Sequence, residues 1–185
     1  ANMPIHYIGP LHKKERQIKS EFPHTRIIVL SGPEPSRTIW EKSLVSQLKH
    51  SHISTLLVRG LPLARRLPKI DNDKVTVVNF LPKKSLNASI SQANVVIGRA
   101  GYSTIMDLVY LRKPAILIPT PGQTEQEYLG EHLKGQFPVA FCSEKDFNIQ
   151  AIPSILSKLR GKSYPKWDHA MQKEKILAII RSLCD

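Results

Sequence analysis

The stretch Asn94-Val95-Val96-Ile97-Gly98-Arg99-Ala100-Gly101-Tyr102-Ser103-Thr104-Ile105-Met106-Asp107 decides the fold, because it joins a buried strand to a helix through a glycine turn. Val95, Val96 and Ile97 form a short unbroken apolar run, the pattern of a strand covered on both faces. From Ser103 to Leu111 the apolar residues Ile105, Leu108, Val109 and Leu111 follow helical spacing. A helix that begins there points unpaired amides and roughly half a positive charge at whatever lies above the strand end. Gly101 carries no side chain to block the approach, and Asp107 lies one turn below Ser103 on the same face. A carboxylate so placed can accept hydrogen bonds from neighbouring ribose hydroxyls, so the segment has parts suited to a nucleotide diphosphate. Gly98 to Gly101 is neither the dinucleotide fingerprint of three spaced glycines nor a phosphate loop ending in Gly-Lys-Ser/Thr, which sets those two nucleotide classes aside.

Outward from this stretch the same alternation recurs. Apolar, β-rich runs lie at Arg26 to Leu30, Thr55 to Arg59, Val75 to Val78, Asn94 to Gly98, Pro114 to Ile118 and Pro138 to Phe141. Helical patterns fill the gaps at Ser36 to Leu48, Ser85 to Gln92, Ser103 to Leu111, Gln126 to Lys134, Ile149 to Leu159 and Trp167 to Leu183. Strands alternating with helices predict an α/β, Rossmann-like, three-layer domain with a mostly parallel sheet of about six strands and right-handed crossovers. Ligands of such sheets gather beyond the carboxyl ends of the strands, near the point where strand order reverses.

Three loops therefore matter. Ser31-Gly32-Pro33-Glu34-Pro35-Ser36-Arg37 follows the first strand, Asn79-Phe80-Leu81-Pro82 the third, and Pro119-Thr120-Pro121-Gly122-Gln123-Thr124-Glu125-Gln126-Glu127-Tyr128 the fifth. Thr124 with Glu127 three positions on reads as a capping box, which would stabilise the helix by about 1 kcal/mol. Gln126 has no such structural reason to be there, and its amide can pair with sugar hydroxyls. The stretch 1–23, with Pro4, Gly9, Pro10 and a basic run, reads as an interdomain linker or added segment, leaving 24–185 as the domain.

The chain has 185 residues, a length that fits one ordinary domain of about 100–200 residues. Its apolar fraction of 41% argues against global disorder, and no apolar run approaches the roughly 18 residues that cross a bilayer. No basic-then-apolar leader is evident, and Cys142 and Cys184 stand apart without metal-ligand or redox spacing, so a reducing cytoplasm is the expectation. The net charge of +12 calls for an acidic partner or surface. The cations are spread along the chain, aromatics are only 6% of residues, and no nucleic-acid-binding signature accompanies them, which argues against nucleic acid as the partner. No metal-ligand set is evident among the seven histidines, so no metal and no cofactor are expected.

The run from Phe80 to Leu133 resembles the donor-binding C-terminal half of two-domain nucleotide-sugar glycosyltransferases of the GT-B fold, above all the bacterial lipid II-forming peptidoglycan N-acetylglucosaminyltransferases. The residues that carry the resemblance are Phe80-Leu81, Asn94-Val95-Val96, Arg99-Ala100-Gly101, Thr104 with Asp107, and the Pro114–Pro119 strand followed by Gln126, Glu127 and Tyr128. The resemblance implies that the main chain at Leu81 reads the uracil edge. Arg99, Ala100, Gly101, Ser103 and Thr104 would then belong to the diphosphate turn, Asp107 would hold the ribose, and Gln126 and Glu127 would meet the donor sugar. Gly32 would stand near the phosphates. The chain departs from the family in having Ser31-Gly32-Pro33-Glu34-Pro35 for a glycine-rich turn, Asp107 for Glu, Glu127 for a second Gln and Gly130 for Asn.

The resemblance further implies an inverting hexosyl transfer, of N-acetylglucosamine or a related hexose, from a UDP-sugar to an acceptor that can be lipid-linked. The catalytic base would come from an N-terminal acceptor domain or a separate acceptor subunit, as in the eukaryotic dolichol-linked N-acetylglucosaminyltransferase, so this chain alone would be inactive. Peripheral contact with the inner face of the membrane fits the same reading. Two other readings stay open: a UDP-sugar 2-epimerase-like domain, and a basic module that binds nucleic acid or membrane without catalysis.

Overall fold

The structure, a computed structural model, describes residues 19–22, 24–165 and 169–184. Most of the expected linker and Trp167, the expected start of the last helix, lie outside them. Six strands form one sheet, β1 (Arg26–Val29), β2 (Thr55–Val58), β3 (Val75–Val78), β4 (Val95–Arg99), β5 (Ala115–Ile118) and β6 (Val139–Phe141), in the order β3-β2-β1-β4-β5-β6. Every pairing is parallel, with Ile27 opposite both Leu56 and Val96 and with Ile97 opposite Ile116. The expected mostly parallel sheet is thus parallel throughout.

Alternation of side chains along each strand divides the core in two. Ile28, Leu30, Leu57, Val95, Ile97 and Ile116 face α1 (Ser36–Leu48) through Trp40, Leu44 and Leu48, and also meet Phe147, Ile149 and Ile152 near α5 (Ile152–Lys158). Ile27, Leu56, Val96, Ala115 and Leu117 face the other way, against α2 (Lys83–Gln92), α3 (Tyr102–Leu111) and α4 (Thr124–Leu133). Runs such as Leu56-Leu57 are apolar without alternation because both faces are covered. A short 3₁₀ turn at Ile149–Ala151 starts what the sequence reads as one helix from Ile149, and α6 (His169–Cys184) closes the chain.

Of the described residues before β1, Ser20, Phe22 and His24 touch the α2 side of the sheet. Ser20 Oγ lies 2.9 Å from Ser89 Oγ, a ring nitrogen of His24 lies 2.8 Å from Ser89 O, and Phe22 packs on the core beside α2. The lead-in to β1 is therefore tied to the helical layer.

Candidate functional site

Strand order reverses between β1 and its neighbours, since β1 lies between β2 and β4. Because β1, β4 and β5 are adjacent, the loops leaving them meet at one edge. Gly32, at φ +101°, occupies the region that favours glycine, and a Cβ there would stand 3.6 Å from Thr120 Oγ1 beyond β5. Between these two loops α3 begins at Gly101, whose backbone is extended at φ −74° and ψ 150°. No side chain caps α3 and its first turn holds no acidic residue, so its leading amides and the positive end of its dipole remain for an anion. Ala100 is buried, Gly101 and Thr104 are half-buried, Ser103 is exposed, and Asp107 is half-buried one turn on.

The start of α1 is different. Glu34 accepts from the Thr38 amide at 3.1 Å and from Arg37 Nε at 2.7 Å, and the Arg37 amide donates to Pro33 O at 3.1 Å. Hydrogen bonds from Thr38 and then Arg37 hold the Glu34 carboxyl below the usual range. A carboxylate of the chain itself thus occupies the place that an external phosphate would take at this helix end. In the sequence Glu34 stands out only as part of the turn that replaces the family's glycine-rich one.

Beneath this turn runs a buried chain of charges. Arg37 Nη1 donates to Glu41 at 2.7 Å, Arg59 Nε donates to the same carboxylate, and Arg59 Nη1 reaches Asn79 Oδ1 at 2.6 Å. Asn79 directly precedes the half-exposed Phe80 and the buried Leu81 at the end of β3. The network fastens the end of β3 to α1. Its signal in the sequence is Arg37 and Glu41, four apart, on the helix face that also carries Trp40, Leu44 and Leu48.

Arg99 does other work than the resemblance implies. Its side chain is 1% exposed, with Nη2 2.8 Å from Glu144 Oε2 and Cζ 4.2 Å above the Trp40 ring. It points into the layer below α1, because it continues the alternation of Val95 and Ile97. The guanidinium is a buried brace of the fold. Neither Trp40 nor Glu144 is marked out by the sequence as its partner.

Gln126 likewise has a structural role. Its Oε1 accepts from the Thr120 amide at 2.9 Å and its Nε2 donates to Gln123 Oε1, so its amide closes the β5–α4 loop on itself. The expected capping box is not formed: the residue capping α4 is Gln123, without a side-chain hydrogen bond to the helix, and Thr124 is already helical. Glu125 and Glu127 in the first turn instead complement the dipole. Glu127 is exposed and, with Pro119, Gly130, Phe141, Cys142 and Glu144, lines an open pocket of about 400 Å³ between α4 and the segment after β6. Burial, with Asp146 adding to it, pushes the Cys142 thiol up to about 11.

Residues 40–181 match the sequence model of the glycosyltransferase family 28 C-terminal domain. The chain belongs to that family. This family 28 domain is 29% identical, over 125 residues, to the UDP-N-acetylglucosamine--N-acetylmuramyl-(pentapeptide) pyrophosphoryl-undecaprenol N-acetylglucosamine transferase of Cytophaga hutchinsonii, covering 66% of this chain and 33% of that protein. It therefore spans about a third of that relative's length. In structure it is similar to the glycotransferase of kitacinnamycin, with a TM-score of 0.63, 17% identity and coverage of 90% of this chain and 42% of the other. It is also similar to ALG13, with a TM-score of 0.55, 14% identity and coverage of 84% and 94%. These structural likenesses bear on the fold, which is that of one half of a GT-B glycosyltransferase.

Among the described residues no group of three or more His, Cys, Asp or Glu side chains is arranged to hold a metal ion, and no helix is long and apolar enough to cross a membrane.

Proposed function

We propose that this domain is the donor-binding half of a hexosyltransferase that moves N-acetylglucosamine, or a related hexose, from a UDP-sugar to a lipid-linked acceptor. The observation that carries the reading is the uncapped α3 N-terminus at the carboxyl edge of the sheet, beside a family membership and a relative whose name states that donor and acceptor. Ala100, Gly101, Ser103 and Thr104 surround the diphosphate, Asp107 holds the ribose, and the Leu81 main chain reads the base. Glu127 meets the sugar from the rim of α4, and Gln126 does so while closing its loop. Gly32 lets the β1 turn pass close by. Amides at the α3 end stabilise charge that builds on the departing diphosphate, which is the largest contribution this half can make to an inverting transfer.

That stabilisation comes from fixed dipoles, so the proposed binding needs no metal. The catalytic base belongs to an acceptor domain or acceptor subunit, and the assembled enzyme works at the cytoplasmic face of a membrane. The test is calorimetric titration with UDP, UDP-N-acetylglucosamine and GDP, with and without magnesium. Uridine-selective binding that is indifferent to magnesium and falls at least about tenfold in Asp107→Ala and Gly101→Val is expected. Equal binding of GDP, a requirement for metal, or full affinity in both variants sinks the proposal.

A further inference from the structure

The connection from β2 to β3 joins two parallel neighbours without a helix between them, although such crossovers usually contain one. It is nonetheless held firmly. The Leu61 amide donates to Asn79 O at 2.7 Å, Asn79 Nδ2 donates to Ala64 O at 2.7 Å, and Arg59 Nη1 donates to Arg66 O at 2.8 Å. This tied loop holds Leu63 94% exposed and Leu67 53% exposed, with Arg65, Arg66 and Lys69 exposed among them. The same Asn79 leads into the start of α2, where Lys83 and Lys84 are exposed.

The charge here is of one sign. No Asp or Glu occurs in 59–70 or in 79–92. Asp71 and Asp73 precede β3 at the opposite edge of the sheet, where Asn72 Nδ2 donates to Leu48 O at 2.8 Å. Glu41 is already paired with Arg37 and Arg59. An ordered loop that keeps a leucine almost wholly in water, ringed by cations with no compensating carboxylate, needs an apolar and anionic counterpart.

We infer that this corner of the carboxyl edge docks on an anionic lipid bilayer, with Leu63 and Leu67 entering the interface and Arg65, Arg66, Lys69, Lys83 and Lys84 at head-group level. A bilayer accepts single protruding aliphatic chains and draws clustered cations to its surface. A protein partner would need a continuous apolar face, and the two leucines are separated by arginines. A single strand of nucleic acid would need a row of stacking surfaces, and residues 59–70 contain no aromatic, which leaves Phe80 alone beside them. The inference deepens the proposed function and rests on it for the lipid-linked acceptor, which the docked edge would meet beside the donor site.

The test is cosedimentation of the full chain with phosphatidylglycerol-containing vesicles and with pure phosphatidylcholine vesicles. Binding to the anionic vesicles is expected to fall about tenfold or more in Leu63→Ser/Leu67→Ser and in Arg65→Glu/Arg66→Glu. Lys158→Glu/Lys162→Glu, with the same change of charge elsewhere, is expected to stay within about twofold. In Leu63→Trp, brominated lipid should quench fluorescence that it leaves untouched in the unsubstituted chain. The inference is overturned if the leucine pair leaves binding unchanged, if the control pair weakens it equally, if no quenching occurs, or if RNA takes the Arg65/Arg66 surface while vesicles do not. UDP titration of the same variants separates the two readings, because retained UDP binding shows a folded donor site whatever the vesicles do, and vesicle binding by a chain that takes no UDP would sink the donor reading alone.

Discussion

Glu144 reaches back from beyond β6 to place Oε2 2.8 Å from Nη2 of Arg99, at a point where Arg99 is 1% and Glu144 16% exposed. The two are close without being aligned as a hydrogen bond, and Arg99 Nε has no partner among the described residues either, so the contact is mainly one of charge. Removing one member of such a buried pair leaves the other uncompensated. Glu144→Ala is therefore expected to cost about 3–5 kcal/mol, toward the lower end because Glu144 retains some solvent. Arg99→Met with Glu144→Leu should recover most of that loss, since apolar side chains of similar volume replace buried pairs at little cost. Urea denaturation of the three variants checks this, and a Glu144→Ala loss below about 1 kcal/mol would show that Arg99 finds its compensation elsewhere.

Gln126 makes a separable prediction. Removing its amide in Gln126→Ala frees the Thr120 amide and Gln123, which should cost about 1 kcal/mol for a part-buried hydrogen bond. If Gln126 also meets the donor sugar, the variant should lose affinity for UDP-N-acetylglucosamine by a larger factor than for UDP. Equal losses for both ligands would leave only the loop-closing role. Calorimetry with the two ligands on one preparation decides between them.

The alternation of apolar runs made the sheet legible, and every strand expected from the sequence occurs within a residue of its place, because runs such as Val95-Val96-Ile97 have no other way to bury both faces. The strand-to-helix turn was legible where it depends on main chain alone, as at Gly101, the extended residue that precedes α3. It was not legible where a side chain finds a partner distant in the chain. Arg99 reads as part of a phosphate turn until Glu144, 45 residues on, and Trp40 are seen around it. Gln126 reads as free because Thr120 reaches it through main chain, which leaves no mark in sequence. The Thr124/Glu127 pattern failed because Gln123, one residue earlier, ends the extended backbone and takes the cap.

Glu34 ties the pH dependence of α1 to one group. Its carboxyl is held below the usual range by Thr38 and Arg37, so the folded value is depressed relative to the unfolded one. Its contribution is complete above the unfolded pKa and is lost as pH falls through the folded value. The Thr38 amide resonance should titrate below the ordinary glutamate range and stop titrating in Glu34→Gln. At neutral pH, pyrophosphate should move the Thr38 resonance in Glu34→Ala but leave it still in the unsubstituted chain, where the carboxylate already occupies the helix end. A pyrophosphate shift at Thr38 in the unsubstituted chain would show that α1 takes part in anion binding.

Gly130 stands inside α4, where glycine costs about 1 kcal/mol relative to alanine. The reason for it lies on β6. A Cβ at Gly130 would come 3.1 Å from Cδ1 of Phe141 and 3.5 Å from its Cγ, so the ring fills the space that a side chain would need. An asparagine at this position, as in the resembling family, would therefore require the Phe141 ring to give by a few tenths of an ångström. Gly130→Asn should lose about 1–3 kcal/mol by overpacking. Phe141→Leu alone should also destabilise, because the ring packs on the core. Combined, the two changes should cost less than their sum by about 1 kcal/mol or more, the coupling of residues in direct contact. Thermal denaturation of both single variants and the double variant measures it, and strict additivity would mean that the ring moves aside and that the glycine answers to something other than Phe141.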